Sequence, residues 1–347
     1  MFVSYSMSKA RLQRGRTQKQ LLQGFMLSVL ALVVSATFAS SGPGPEPKFW
    51  KGEWPKTDFS RTSISNWKEI LSGGPPRDGI PAISNPSFVD VAREKRLKDR
   101  EPVISVELKG QTPRAYPLRY LLWHEIVNDK IGTTPIAVTF CPLCNSGVVF
   151  DRRLKGRVLD FGVTGKLRNS DMVMYDRQTE SWWQQALGQG IVGKYTGAKL
   201  KKLPVWMESW AEYKARNPKG LVMDEPSWNR SYGRNPYVGY DSSSRPFLYN
   251  GENPPHGISP LARVIAVGNR AWTLERLRRA GEIKEAGVTI SWRAGQASAL
   301  DTGNIGKGRD VGTIRVRDAS GRNVVHDVMF AFAFHAFYPN GKWMLGK

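Results

Sequence analysis

From residue 102 onward the chain is dominated by short runs of β-branched and aromatic residues bounded by Gly, Pro, Asn or Asp. Runs of this kind read as strands. Residues 134–140 and 148–150 form one such pair, and residues 158–165 and 172–175 another. Residues 176–181 read as a turn leading into Trp182-Trp183-Gln184-Gln185. Residues 324–338 alternate apolar with small or polar positions and predict a closing strand pair. Helical spacing is confined to short stretches. One begins at Pro117 with the stripe Leu118, Leu121, Leu122 and Ile126, and a second covers 207–217 and ends at Pro218 and Gly220; residues 88–98 are predicted partly helical. Between 49 and 100, Gly73-Gly74-Pro75-Pro76, Ile80-Pro81 and Asn85-Pro86 predict irregular pieces wrapped on a core built elsewhere. Residues 224–260, rich in Pro, Gly, Asn, Ser and Tyr, predict a long surface loop. The pattern is that of a mainly β or α+β fold, with mixed sheets and short helices.

The pattern also echoes itself. Val103-Ile104-Ser105-Val106 followed by Arg114-Ala115-Tyr116-Pro117-Leu118 recurs as Val264-Ile265-Ala266-Val267 followed by Arg270-Ala271-Trp272-Thr273-Leu274. Glu125-Ile126 then matches Glu282-Ile283, and residues 136–140 match 288–292. Agreement in order and type across four elements predicts a degenerate strand–helix–strand duplication, with units at about 101–150 and 262–300. Only the first copy carries His124, Cys141 and Cys144, so chemistry belongs to that copy and the second is scaffold.

The first 39 residues carry Lys9, Arg11, Arg14, Arg16 and Lys19, an apolar run over 25–34, and small residues ending at Ala39. That order predicts a secretory signal peptide, cleaved after Ala39. The run is short for a membrane span, so no integral membrane domain is expected in the mature chain. A Pro/Gly linker over 40–48 follows, and residues 49–347 are read as a single large β-rich domain. The full chain has a formal net charge of +21; without the five basic residues of the leader the balance is 46 − 30 = +16. In an exported, most simply periplasmic, protein this charge points away from nucleic acid; spread along the chain rather than clustered, it either confers solubility alone or draws the protein to anionic envelope components.

Both cysteines lie in Cys141-Pro142-Leu143-Cys144, between two strand-like runs. A thioredoxin motif would run into a helix, and no histidine follows Cys144 as haem attachment requires. A disulfide across so small a loop would restrain the unfolded chain by only about 2 kcal/mol, a weak structural return in a chain of this size. Three readings stand. The pair holds a soft metal ion, Cu(I) or Zn, with His124 and Met174 completing the set and Asp171 and Asn169 as polar neighbours. It is a reversible periplasmic dithiol/disulfide. Or it is a structural disulfide in a noncatalytic envelope- or glycan-binding module whose loop rings, Trp228, Tyr232, Tyr237, Tyr240 and Tyr249, stack on ligand. Each candidate has a plainer role: His124 packed and hydrogen-bonded to Asn128 or Asp129, Met172 and Met174 as core filler, Asp171 as a turn residue. His256, His326 and His335 lie outside the motif, and no triad, phosphate loop or paired-carboxylate motif marks an enzyme.

At Tyr116-Pro117-Leu118, His124-Glu125-Ile126-Val127-Asn128-Asp129, Val138-Thr139-Phe140-Cys141-Pro142-Leu143-Cys144 and Asn169-Ser170-Asp171-Met172-Val173-Met174-Tyr175-Asp176-Arg177, the chain resembles the exported bacterial DUF3179 family, a domain of unknown function. The likeness runs from about Phe49 through most of the chain. Asn145 stands where the family pattern usually has Gly, and both residues tolerate a left-handed turn. The resemblance implies kinship and no particular activity.

Overall fold

The computed structural model describes residues 42–346. The signal peptide expected over 1–39 lies outside the described residues. The first helix, Lys48–Glu53, opens at the end of the expected linker. The protein is mainly β, built from several small mixed sheets with a few short helices.

Strands Pro102–Val106 and Arg114–Pro117 pair antiparallel with Ile104 opposite Tyr116, helix Leu118–His124 follows, and strands Ile126–Ile131, Thr134–Cys141 and Ser146–Asp151 form a meander. The second unit repeats this with Arg263–Val267, Arg270–Thr273, helix Leu274–Ala280, Glu282–Glu285, Val288–Arg293 and Thr313–Asp318, Ile265 standing opposite Trp272. Both helices have seven residues, so Leu118 corresponds to Leu274 and Glu125 to Gly281. This moves the expected match of Glu125 with Glu282 by one position. The backbone bonds agree: Glu125 N–H donates to Leu121 O and its carbonyl accepts from Phe140, while Gly281 N–H donates to Leu277 O and its carbonyl accepts from Trp292.

The duplication extends further than its sequence echo. Strand Trp206–Ser209 pairs antiparallel with Pro102–Val106, continues into helix Trp210–Arg216, and strand Leu221–Met223 then runs parallel to Arg114–Pro117. Strand Asp327–Phe330, helix Ala331–Phe337 and strand Lys342–Trp343 do the same against the second unit. The expected closing strand pair over 324–338 is therefore a strand followed by a helix. Ala331, Phe332, Ala333 and Phe334 are all fully buried, and four consecutive buried positions show no polar face by which a helical period could be read. The helix expected over 207–217 likewise starts only at Trp210, where Ser209 caps it by accepting from Glu212 N–H. Residues 88–98 hold strand Phe88–Asp90 and a single 3-10 turn, Val91–Arg93.

The two units share one continuous apolar cluster, from Ile83 to Phe337, that each half alone leaves open. They pack reciprocally: Ser146–Asp151 lies on Asp327–Phe330, and its counterpart Thr313–Asp318 lies on Trp206–Ser209.

A third element positions the site. Strands Phe161–Arg168, Asp171–Asp176 and Trp182–Gln184 are consecutive in a five-stranded antiparallel sheet. Alternation along Asp171–Asp176 sends Met172 and Met174 into the main core and Val173 and Tyr175 into a second cluster with Trp50, Trp54, Phe59, Trp67 and Trp182. The early irregular pieces thus cover the back of the strand that begins with Asp171.

Candidate metal centre

Strand Thr134–Cys141 ends on Cys141 itself, and the chain reverses through a 3-10 turn, Pro142–Cys144, before Ser146–Asp151 returns beside it. Pro142 supplies the φ that starts such a turn. Asn145 closes it in the left-handed region, φ 51° and ψ 34°, with its N–H on Pro142 O at 3.1 Å. Its side chain explains an Asn where Gly would bend as easily: Nδ2 donates to Val328 O at 3.3 Å, and Oδ1 faces Arg263 Nη2 at 3.5 Å. The amide ties the cysteine turn to the second unit.

The third donor arrives on a separate hairpin. Asn169 and Ser170, with φ of 50° and 61°, form a two-residue turn between the paired residues Arg168 and Asp171. This turn aims the Ser170 carbonyl at both sulfurs, 3.9 Å from Cys141 Sγ and 3.6 Å from Cys144 Sγ. Asp171 follows: Cys141, Cys144 and Asp171 each present a ligand atom, all within 4.8 Å of one another, and all three residues are buried. One Asp171 oxygen, Oδ2, accepts from Gln184 Nε2 at 2.6 Å and Ala186 N–H at 2.9 Å, while buried Oδ1 has no hydrogen-bond partner. Both cysteines are free thiols. Burial pushes both thiols up, Cys144 well above its usual range. Burial also lifts the Asp171 carboxyl to about 6, against the pull of the Ala186 and Gln184 donors.

His124 does not join this group. Its Nδ1 donates to Pro81 O at 2.7 Å, so Nε2 is the acceptor for Tyr232 O–H at 2.6 Å. Both ring nitrogens are committed, and burial pulls the imidazole below its usual range. Nor does it bond Asn128 or Asp129, which engage Phe161 and the Arg114–Tyr116 pair respectively. Met174 sits in the apolar core, in register with Val163 and Trp183. Asn169 serves the turn, and Asp176 accepts from Thr179 N–H and Trp183 Nε1. Asp171, read from sequence as a polar neighbour, is the residue the fold delivers to the cysteines.

Glu125 is the feature the sequence reading passed over. It caps helix Leu118–His124 with φ 57° and ψ −33°, a conformation its counterpart Gly281 adopts at φ 71° and ψ −45°. A side chain held there costs on the order of 1–3 kcal/mol, which glycine avoids. The duplicated copy was the available signal: Gly marks the strain that Glu carries. Burial, with the Asp171 charge adding to it, pushes the Glu125 carboxyl up to about 8. A carboxyl that titrates near 4.5 unfolded and near 8 folded binds more protons in the native state, so it makes stability fall as pH rises between those values. In metal-free protein the Glu125 contribution between pH 6 and 8 is expected to approach about 1.4 kcal/mol per unit, and Glu125→Gln should flatten it. Urea unfolding across that range checks this; identical slopes in the two proteins would contradict it.

Glu125, Leu143 and Met172 line a cleft of about 410 Å³ whose other walls include Ile80, Leu167, Tyr237 and Phe247. The model of the family described as a protein of unknown function, DUF3179, matches residues 77–341. The chain belongs to the DUF3179 family. No match is found among curated proteins or among solved structures. Every element of the centre and the cleft's polar group Glu125 fall inside the DUF3179 match, and the aromatic pieces Trp50 to Trp67 fall outside it.

The aromatic loop of this DUF3179 chain is folded back on the site. Tyr240 O–H donates to Leu143 O at 3.0 Å and its ring meets Phe330; Tyr249 packs on Phe332, and Tyr232 holds His124. Trp228, Val238 and Phe247 are the loop's exposed large apolar side chains. No described helix is long and apolar enough to cross a membrane.

Proposed function

We propose that this protein holds a metal ion, zinc in preference to Cu(I), on Cys141, Cys144 and Asp171. The observation that carries the reading is the buried three-donor cluster in which Asp171 Oδ1 has no protein partner. Two thiolates and a carboxylate form a mixed soft and hard set, which suits Zn(II); Cu(I) favours sulfur alone. Burial holds both thiols protonated in metal-free protein, and a dication repays their ionisation by direct bonding. Three protein donors leave a fourth position for water or a small ligand, as in zinc sites that do chemistry. Export would place the centre in an oxidising compartment, where coordination protects both sulfurs from oxidation.

The redox alternative fits the same pair less well. Thiol–disulfide exchange proceeds through an accessible thiolate, and here both thiols are buried with their ionisation suppressed. Elemental analysis combined with thiol counting on protein purified without chelator separates the two. About one zinc per chain with two alkylatable thiols after chelation is the expected result. A metal-free disulfide that takes up no metal after reduction would sink it, and copper in place of zinc would reassign the ion.

A further inference from the structure

The register that matches the two units residue by residue also shows where they diverge. Thr139, Cys141, Ser146, Val148 and Phe150 of the first unit correspond to Ser291, Arg293, Thr313, Arg315 and Arg317 of the second. In the first unit this face is closed. Val148 and Phe150 are buried, and Gln185 Nε2 donates to Thr139 Oγ1 at 2.8 Å and to Ser146 O at 3.2 Å. In the second unit the same five positions line a groove of about 620 Å³ whose other wall is helix Trp210–Arg216. The unit expected to be scaffold thus carries arginine where its duplicate has the first cysteine and two core side chains.

The groove is rich in donors and short of acceptors. Glu212, the one acid in its lining, lies 3.5 Å from Arg293 Nε, and Arg216 is held by Glu107 and Glu208. Among the described residues no carboxylate pairs with Arg315 or Arg317, which neighbour each other on one face of strand Thr313–Asp318. Four guanidiniums therefore meet three carboxylates, and the two left unpaired lie together. Arg315 is not simply left in water. Its Cζ stands 3.6 Å from the Trp206 ring centre, its Nε is buried with no hydrogen-bond partner, and its Nη2 reaches Asn323 Oδ1 at 3.0 Å. Burial pulls this guanidinium down to about 10, the Arg216 and Arg317 charges adding to the effect and the Glu208 charge opposing it. Thr313 Oγ1 accepts from Ser209 N–H at 3.3 Å, which leaves the hydroxyl proton free to donate.

We infer that this groove binds a phosphoryl group, carried on a small organic molecule or on a lipid headgroup, between Arg315 and Arg317. Guanidinium forks take phosphate oxygens two at a time, and a phosphate monoester brings the negative charge that the unpaired arginines lack. Its three terminal oxygens accept from several directions, which suits two arginines on one strand with the Ser291 and Thr313 hydroxyls beside them; a planar carboxylate has only two oxygens. The groove has the volume of a small-molecule site, and Ala211, Ala215 and Trp292 remain for the rest of the ligand. The metal centre contributes no residue, so the inference stands apart from the zinc reading.

Glycerol 3-phosphate is the soluble probe, titrated calorimetrically into the protein at pH 7.5 in phosphate-free buffer of low ionic strength. Saturable binding is expected, weakened about tenfold or more in Arg315→Gln and in Arg317→Gln. Arg317 is exposed, so its replacement leaves the fold intact even where loss of Arg315 from the Trp206 ring does not. Arg279→Gln, which removes the same charge from an exposed position outside the groove, should match the parent. Cosedimentation with phosphatidylcholine vesicles carrying phosphatidic acid separates the two carriers. Vesicle binding that Arg317→Gln abolishes assigns the group to a lipid, and glycerol 3-phosphate binding without vesicle binding assigns it to a soluble ester. No binding of either probe, parent-like binding in folded Arg317→Gln, an equal loss in Arg279→Gln, or acetate binding as tightly as glycerol 3-phosphate overturns the inference.

Discussion

Protein carrying Asp171→Asn is expected to bind zinc at least about a hundredfold more weakly than the parent, and Cys141→Ser with Cys144→Ser to bind none. Altering groups that merely orient metal ligands costs about 10–100-fold in affinity, and Asp171 is itself a donor in this reading. An amide offers the same oxygen without the charge. In the metal-free state the same substitution acts in the opposite sense. It removes a fully buried carboxyl that burial holds at about 6, so ionising it above that pH no longer burdens the fold. Chelated Asp171→Asn should therefore be at least as stable as the chelated parent at pH 8. With metal at a thousandfold over its dissociation constant, the parent should gain about 4 kcal/mol and the variant far less. Thermal melts with and without chelator, paired with zinc titration, read both signs. A parent whose melting does not respond to zinc, or a double serine variant that still takes up a full equivalent, would remove the metal reading.

Asp241→Asn is expected to destabilise the protein by about 3–5 kcal/mol, because it leaves Arg263 charged and buried without its counterion. Asp241 Oδ2 lies 3.0 Å from Arg263 Nη1 and 2.5 Å from Ser298 Oγ, and Arg309 Nη2 reaches Oδ1 at 2.8 Å. The Asp241 side chain is fully buried and that of Arg263 nearly so. Burial already pulls the guanidinium below its usual range, with the Asp241 charge the main force opposing it. The loss should also be felt at the centre. Asp241 follows Tyr240, whose hydroxyl sits on Leu143 O between the two cysteines, so a loosened loop uncovers the turn. Faster alkylation of Cys141 and Cys144 in the chelated variant is the local readout, and urea unfolding the global one. A loss below about 1 kcal/mol with unchanged alkylation would show that the ion pair does not anchor the loop.

Much of the architecture was legible because it rests on local chemistry. The Cys-Pro-Leu-Cys segment reads as a turn between strands from its β-branched and aromatic flanks, and Asn145, a residue that tolerates a left-handed turn, occupies that conformation. Glycine and proline punctuation placed the irregular segment before Arg100 and the loop after Met223. The echo between units was visible where both copies keep the same apolar strand and the same Arg-Ala-aromatic-x-Leu entry into the helix. It was invisible in the pair Trp206–Met223 and Asp327–Trp343, since Trp210-Ala211-Glu212-Tyr213 and Ala331-Phe332-Ala333-Phe334 share geometry but no residue pattern.

The sequence by itself determined the family, the β-rich class and the cysteine turn. All of these depend on residues near one another in the chain. Only the tertiary structure decided which distant residues meet. It committed His124 to Pro81 and Tyr232, 43 and 108 positions away, and left Met174 in the core. It brought Asp171 to the sulfurs through a left-handed Asn169-Ser170 turn, and set Glu125 as a strained cap at the wall of a cleft. Side-chain partners across a sheet are set by register and by what neighbouring elements leave unfilled. A carboxylate that lacks a donor is defined by its surroundings, and those exist only once the chain has folded.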